Sequence, residues 1–199
     1  MVNVPDFDAL YRVDSDPWRV QSSFYESRKL DLVLACLSRP TYDAAWDPAS
    51  GVGELAARLA PRAGRVLASD ASAQAVHLTR HRCRSVSNVT VLQLVLPQSP
   101  PTEAGPFDLI VLSEFFYYLG DEQRARALAA VQEVAADRAE LVAVHWRHHP
   151  NDAFLPGEQV QDEIVGQLKQ VGWQHIIQHD DRDFIIDVLD RGDPAVSVP

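Results

Sequence analysis

The chain has 199 residues, 46% hydrophobic and 23% charged, the composition of one ordinary globular domain with a sizeable core. Its formal net charge of -10, from 28 acidic and 18 basic side chains, argues against a nucleic-acid partner, because phosphate binding rests on basic patches and counterion release. The longest apolar stretch, Leu30–Leu37, is far short of a membrane span and carries Asp31, so no membrane partner is expected either.

The opening MVNVPDFDALYR has acids at Asp6 and Asp8 and no apolar centre, so it does not make a signal peptide. Cys36 and Cys83 form no CxxC or zinc spacing; inert thiols in a cytoplasmic protein without a metal site are expected. Residues 1–17 are polar and interrupted by Pro5 and Pro17, so they read as a flexible or capping segment, with the ordered core starting near Trp18. Ser22–Leu37 has helical spacing through Phe24, Tyr25, Lys29, Val33 and Leu37, and Pro40 ends it.

From there strands and helices alternate. Tyr42–Trp46 reads as a strand, Gly53–Leu59 as a helix stopped by Pro61, and Arg65–Ser69 as a second strand. Ser72 can cap the next helix, which runs to about Arg84. Asn88–Leu94 is a third strand, followed by the proline-rich loop PQSPPTEAGP. Phe107–Leu112 is nearly all apolar, as a strand buried on both faces would be. Asp121–Ala136 is a helix, Glu140–Trp146 a fifth strand and Val160–Val171 a further helix. Trp173–Gln178 and Asp183–Leu189 flank the turn HDDR and read as a hairpin. The pattern implies an α/β fold: a doubly wound, mostly parallel, seven-stranded, Rossmann-like sheet with a C-terminal antiparallel hairpin. Residues 18–191 would form one domain and 192–199 a frayed tail.

In such sheets ligands bind beyond the carboxyl ends of the strands, near the switch point. Gly51 and Gly53, in DPASGVG, lie just after the first strand and open the first helix. There a Cβ would block close backbone approach to a ligand, and the helix start offers free N–H groups. Asp70 ends the second strand, where a carboxylate can accept both hydroxyl hydrogens of a ribose. Asp47, ending the first strand, can orient the loop or accept from an ammonium group. Gly51-x-Gly53-x-x-Ala56 also fits a dinucleotide fingerprint, so NAD competes with S-adenosylmethionine. Two features count against NAD. The Tyr-x-x-x-Lys spacing of a short-chain dehydrogenase occurs only upstream, at Tyr25 and Lys29, and acidic Asp47 sits awkwardly beside a pyrophosphate.

DPASGVG, LASD, FDLIVLSEFFYYLGD and VAVHWR resemble the motifs of class I S-adenosylmethionine-dependent methyltransferases. More narrowly, DSDPWRVQSSFYESRK, with SEFFYYL and VAVHWRHH, resembles the nodulation protein S family of N-methyltransferases over roughly residues 11–190. The resemblance implies that Asp47, Ala49, Gly51 and Gly53 lie beside the methionine part of the cofactor, and that Asp70, with Ala71, holds the ribose. Ser113 and Glu114 would face the sulfonium and methyl group. Trp18, Tyr25, Arg28 and Lys29 would form an N-terminal cap, with Arg28 or Lys29 available to the cofactor carboxylate. The acceptor would be an amine of a small molecule or amino sugar, with an oligosaccharide amine as the family's own suggestion.

The sequence departs from that pattern twice. Ala49 stands where glycine is usual, and Leu94–Val95 replaces a Gly-Asp whose acid accepts from the adenine amino group. Loss of that hydrogen bond costs roughly 1–3 kcal/mol, or about ten- to a hundredfold in affinity. A non-catalytic member of the fold is therefore the alternative to an enzyme.

Methyl transfer to an amine needs an in-line geometry and a neutral nitrogen. Glu114, Tyr117, Tyr118 and His145 are the neighbours that could take the proton, with Glu114 and His145 favoured, from adjacent strands. Tyr117, Trp146 and Trp18 could line the pocket with ring faces that stabilise positive charge. His148 and His149 read as a solvated loop, His175 and His179 as surface or packing residues, and Arg124–Arg126 as a solvated helix face.

Overall fold

The computed structural model describes residues 4–192; the tail expected at 192–199 lies outside them except for Gly192. Seven strands form one sheet: β1 Tyr42–Asp47, β2 Ala63–Asp70, β3 Val89–Gln93, β4 Phe107–Ser113, β5 Ala135–Trp146, β6 Gln174–Asp180 and β7 Phe184–Arg191. Their order across the sheet is β3-β2-β1-β4-β5-β7-β6. All pairs are parallel except β7, which lies antiparallel to β5 and β6. The helices are α1 Phe7–Val13, α2 Phe24–Cys36, α3 Glu54–Leu59, α4 Ala73–Arg82, α5 Asp121–Val134 and α6 Gly157–Gln170. The doubly wound sheet and its closing hairpin are as the alternation implied.

Apolar side chains on each face of the sheet explain the layering. On one face Ile110, Leu112, Leu141 and Ala143 meet Leu128 and Val131 of α5 and Val160, Ile164 and Leu168 of α6. On the other, Leu109, Val111, Val142 and Val144 meet Leu30 and Val33 of α2 and Leu55 and Leu59 of α3. Each such side chain contributes about 1.5–3 kcal/mol by leaving water. The chain steps from β1 outward to β2 and β3, then returns to β4 on the other side of β1. That reversal opens a crevice at the carboxyl ends of β1 and β4.

Three local expectations are corrected. Order does not begin near Trp18: Phe7–Val13 is a helix, its first turn capped by Asp6 Oδ1 accepting from Ala9 N–H at 3.0 Å, and Tyr11 is buried. Asp8 ties this helix to α4, accepting from Ser72 Oγ at 2.8 Å and Gln74 N–H at 2.9 Å. Secondly, β5 begins at Ala135, inside the expected helix, because Ala135 pairs with Phe107 of β4. Alanine's helix propensity is a weak preference that tertiary pairing overrides. Thirdly, Arg124 is buried, bonded to Glu163 at 2.8 Å and to the Leu119 carbonyl at 2.7 Å.

Candidate active site

A cavity of about 590 Å³ opens over the carboxyl ends of β1, β2 and β4. Its acidic and basic lining comprises the carboxyl groups of Glu26, Asp47, Glu54, Asp70, Glu114 and Asp152 and the single ammonium of Lys29. Such a site favours cations and repels a pyrophosphate.

The turn after β1 shapes one end. Gly51 and Gly53 have φ of +53° and +76°, in the left-handed region that glycine enters without strain. A Cβ on Gly51 would lie 2.8 Å from the Tyr11 hydroxyl, so α1 closes directly over this backbone. A Cβ on Gly53 would instead press 2.9 Å from Thr79 Cγ2 of α4, so this glycine serves helix packing. Asp70 accepts from Gly51 N–H on Oδ2 and from Ser72 N–H on Oδ1, both at 2.9 Å. Burial raises its pKa, and these amides work against that rise.

Asp47 is treated differently. Its side chain is fully buried and neither carboxylate oxygen has a hydrogen-bond partner; the Ala56 amide acts on it only weakly, outside hydrogen-bond geometry. Burial, and then the neighbouring Asp70, push its pKa up to about 8.

Glu114, at the other end, directly follows β4 and takes a left-handed φ of +60°. For a residue other than glycine this backbone is strained, of order 1–3 kcal/mol, and such strain clusters at functional sites. The strain aims the carboxylate at three donors. Lys29 Nζ lies 2.5 Å from Oε1, while the Tyr117 hydroxyl and the Trp146 N–H donate to Oε2 at 2.7 and 2.9 Å. Lys29 also pairs with Glu26 at 2.9 Å and stands 5.1 Å from the Tyr25 ring centre. Burial disfavours the Glu114 charge, but the Lys29 ammonium and the hydrogen bonds outweigh it and hold the carboxyl below its usual range. For Lys29, burial is likewise overcome, by Glu114 and Glu26, and the ammonium stays firmly protonated. In Glu26 burial prevails over Lys29 and raises the pKa.

Of the residues singled out from sequence, Trp18, Tyr25, Asp47, Ala49, Gly51, Asp70, Ala71, Ser113, Glu114 and Tyr117 line this cavity. Arg28, Gly53 and His145 do not. Arg28 turns away to pair with Asp181 at 2.6 Å, leaving Lys29 as the basic group of the cavity. His145 is buried beneath Tyr117, ring centres 5.4 Å apart, on the α6 side of the sheet. Phe7, Tyr11 and Glu26 line the cavity without having been singled out. The spacing of Phe7, Leu10 and Tyr11 behind the capping Asp6 is the signal that marks α1. Among the described residues no group of three or more His, Cys, Asp or Glu could hold a metal ion, and no helix is long and apolar enough to cross a membrane.

The strand order, the antiparallel β7 and the crevice above β1 and β4 define the class I methyltransferase fold. Solved structures share it. A candidate methyltransferase from Pseudomonas syringae is 35% identical, with a TM-score of 0.72 over 85% of this chain and 100% of that one. The N-methyltransferase NodS from Bradyrhizobium japonicum WM9, in complex with S-adenosyl-L-homocysteine, has a TM-score of 0.79 over 95% of this chain and 100% of that one, at 18% identity. The family model described as nodulation protein S matches residues 9–145, and the chain belongs to that family. Nodulation protein S of Bradyrhizobium diazoefficiens is 32% identical over 126 residues, covering 61% of this chain and 59% of that protein. The Rhizobium tropici protein of the same name is 30% identical over 107 residues, 53% and 44% respectively. The chain thus spans about half the length of the curated relatives it matches.

Proposed function

We propose that this chain is an S-adenosylmethionine-dependent methyltransferase whose acceptor is an amine of a small molecule or amino sugar. The observation that carries the cofactor assignment is Asp47: a fully buried carboxylate with no partner, lining a cavity next to a second carboxylate. An unpaired buried charge is costly, and a ligand ammonium offsets that cost. The cofactor's amino group fits this position. Asp70 fits a ribose, because each carboxylate oxygen accepts one backbone N–H and keeps a lone pair for a hydroxyl hydrogen. Gly51 lines the cavity where the Tyr11 hydroxyl leaves no room for a Cβ, and Ala49, Ala71 and Ser113 supply small walls. Trp18, Tyr25 and Tyr11 exclude water from above. Lys29, with one N–H beyond its two carboxylates, is the group available to the cofactor carboxylate.

When bound, the cofactor supplies an electrophilic methyl group on a positively charged sulfur. The chain's own part is positioning and charge. Glu114 stays ionised and already has three donors, so it suits the task of holding positive charge better than that of storing a proton. Tyr117 fixes Oε2 of Glu114 through its hydroxyl and offers its ring to the acceptor. An acceptor nitrogen must therefore lose its proton to solvent before reacting. The six carboxylates around the cavity favour this reading over a NAD-binding one.

Calorimetry with S-adenosylmethionine and S-adenosylhomocysteine tests the reading, followed by transfer of labelled methyl to a panel of amino sugars. Absence of heat at millimolar cofactor removes it. Cofactor binding without transfer to any amine leaves the non-catalytic member of the fold, the reading that Val95 in place of an acid favours. Asp70→Ala should weaken binding about ten- to a hundredfold, the worth of two charge-assisted hydrogen bonds; unchanged affinity refutes the ribose role.

A further inference from the structure

Behind Tyr117, on the α6 face of the sheet, a buried chain of polar groups runs between β5, α6 and β7. Gln161 of α6 stands at its centre, 2% exposed. Its Nε2 faces acceptors alone: Asp187 Oδ2 at 2.6 Å, the Ala143 carbonyl at 3.1 Å and the Ile185 carbonyl at 3.4 Å. Those acceptors fix the amide's orientation, because an oxygen in that place would face other oxygens. Gln161 Oε1 therefore points the other way, 2.8 Å from His145 Nδ1. An amide oxygen only accepts, so Nδ1 must carry a proton. His145 is fully buried, which disfavours its charged form, and Nε2 has no partner. The ring is thus neutral, with its lone pair on Nε2.

We propose that Gln161 is a positioning residue of the active site, holding His145 as the neutral Nδ1–H tautomer so that the Glu114 end of the cavity keeps its negative charge. Glu26, Glu114 and Lys29 together carry one net negative charge, and a protonated His145 would cancel it. The charged and titratable groups that bear on His145 are Glu114 from the end of β4, Lys29 from α2 and Tyr117 from the turn after Glu114. Glu114 favours the imidazolium, Lys29 opposes it, and burial decides for the neutral ring. Asp187 acts through Gln161, and His175 Nε2 of β6 lies 2.7 Å from Asp187 Oδ1, out of line for a hydrogen bond. His175, which the sequence placed among surface or packing histidines, thus sits at the far end of this chain. The consequence for cofactor charge rests on the methyltransferase reading; the tautomer does not.

Histidine-labelled full-length protein, studied by long-range proton–nitrogen correlation, reads the tautomer directly. His145 should show a protonated Nδ1 and a bare Nε2 at neutral pH, with assignment by comparison with His145→Gln. Gln161→Met, which replaces the amide oxygen by a thioether that accepts only weakly, should move the proton to Nε2. Gln161→Glu combined with Asp187→Asn, whose amide N–H can face the new carboxylate oxygen, should keep Nδ1 protonated and raise the pH at which His145 gains its second proton. An Nε2–H or charged His145 in the wild type overturns the proposal, as does an unchanged spectrum in Gln161→Met. If that variant fails to fold, the wild-type spectrum alone decides. The ratio of S-adenosylmethionine to S-adenosylhomocysteine affinity isolates the sulfonium charge. In the Gln161→Glu, Asp187→Asn protein it should fall about fivefold between about pH 8 and 6 while staying level in the wild type. A level ratio in both refutes the charge role, whereas a wild type that binds neither compound refutes the methyltransferase reading and leaves the tautomer result standing.

Discussion

Replacement of Asp47 by asparagine should make the ligand-free protein more stable while weakening its grip on a cationic ligand. The carboxyl is fully buried, without a partner, and its pKa stands at about 8 against an ordinary 3.8. A carboxyl with a raised folded-state pKa takes up its proton more readily folded than unfolded. Stability is then greatest below the unfolded pKa and is lost as pH rises through the window from about 4 to 8. At 1.36 kcal/mol per unit, the roughly three units of that window below pH 7 amount to about 4 kcal/mol. Asparagine removes this term but leaves a buried amide without partners, which costs about 1–3 kcal/mol. The net gain at pH 7 is about 1–3 kcal/mol, or about 1 M in the midpoint of urea unfolding. Unfolding should be followed at pH 5, 7 and 8.5, with and without S-adenosylhomocysteine. Wild-type stability should decline with pH in the ligand-free state and the variant should lack that slope. Cofactor should stabilise the wild type more than the variant. A variant less stable than wild type at pH 8.5 without ligand would show that Asp47 has a partner after all, and the argument for a cation site would fall.

Other outcomes follow from the same geometry. Lys29→Met leaves Glu26 and Glu114 without their shared cation at 2.9 and 2.5 Å, and should cost about 3 kcal/mol in thermal unfolding, with part recovered by adding Glu26→Gln. Val95 is half-exposed at the end of β3 and lines the cavity, so Val95→Asp should tighten S-adenosylhomocysteine binding about tenfold by calorimetry. Unchanged affinity would mean that the adenine end of the ligand lies elsewhere.

The fold was legible because its signals are local and repeated. Phe107–Ser113 announces a strand buried on both faces, and Ser72 starts its helix where a capping hydroxyl should, accepting from Ala75 N–H at 3.1 Å. That Asp47, Gly51 and Asp70 line one cavity was readable because each closes or follows a strand on the same edge. What escaped was set by contacts distant in sequence. Arg28 and Lys29 are neighbours in the chain, yet only three-dimensional packing directs one to Asp181 and the other to Glu114, 85 positions away. His145 follows Val144 at the right strand end, but the alternation of a strand sends its ring to the α6 side, where Gln161 holds it. Helix α1 was hidden by the two prolines around it, although Asp6, Phe7, Leu10 and Tyr11 carry a cap and a helical stripe.

The carboxylates of the cavity divide the work. Asp70 is satisfied by backbone amides and Glu114 by an ammonium, a phenol and an amide, so both are rigid before any ligand arrives. Asp47 alone is left wanting. A site built only for stability would have paired it, since each unpartnered buried acceptor costs about 1–3 kcal/mol. Asp47 also lies across the turn from Gly51, where a φ of +53° and the Tyr11 hydroxyl leave room for glycine alone. Two carboxylates fixed by donors, Asp70 and Glu114, therefore flank one incomplete position. Ligand binding completes it, and a cation does so best, because ionising Asp47 in that setting needs a positive charge within reach.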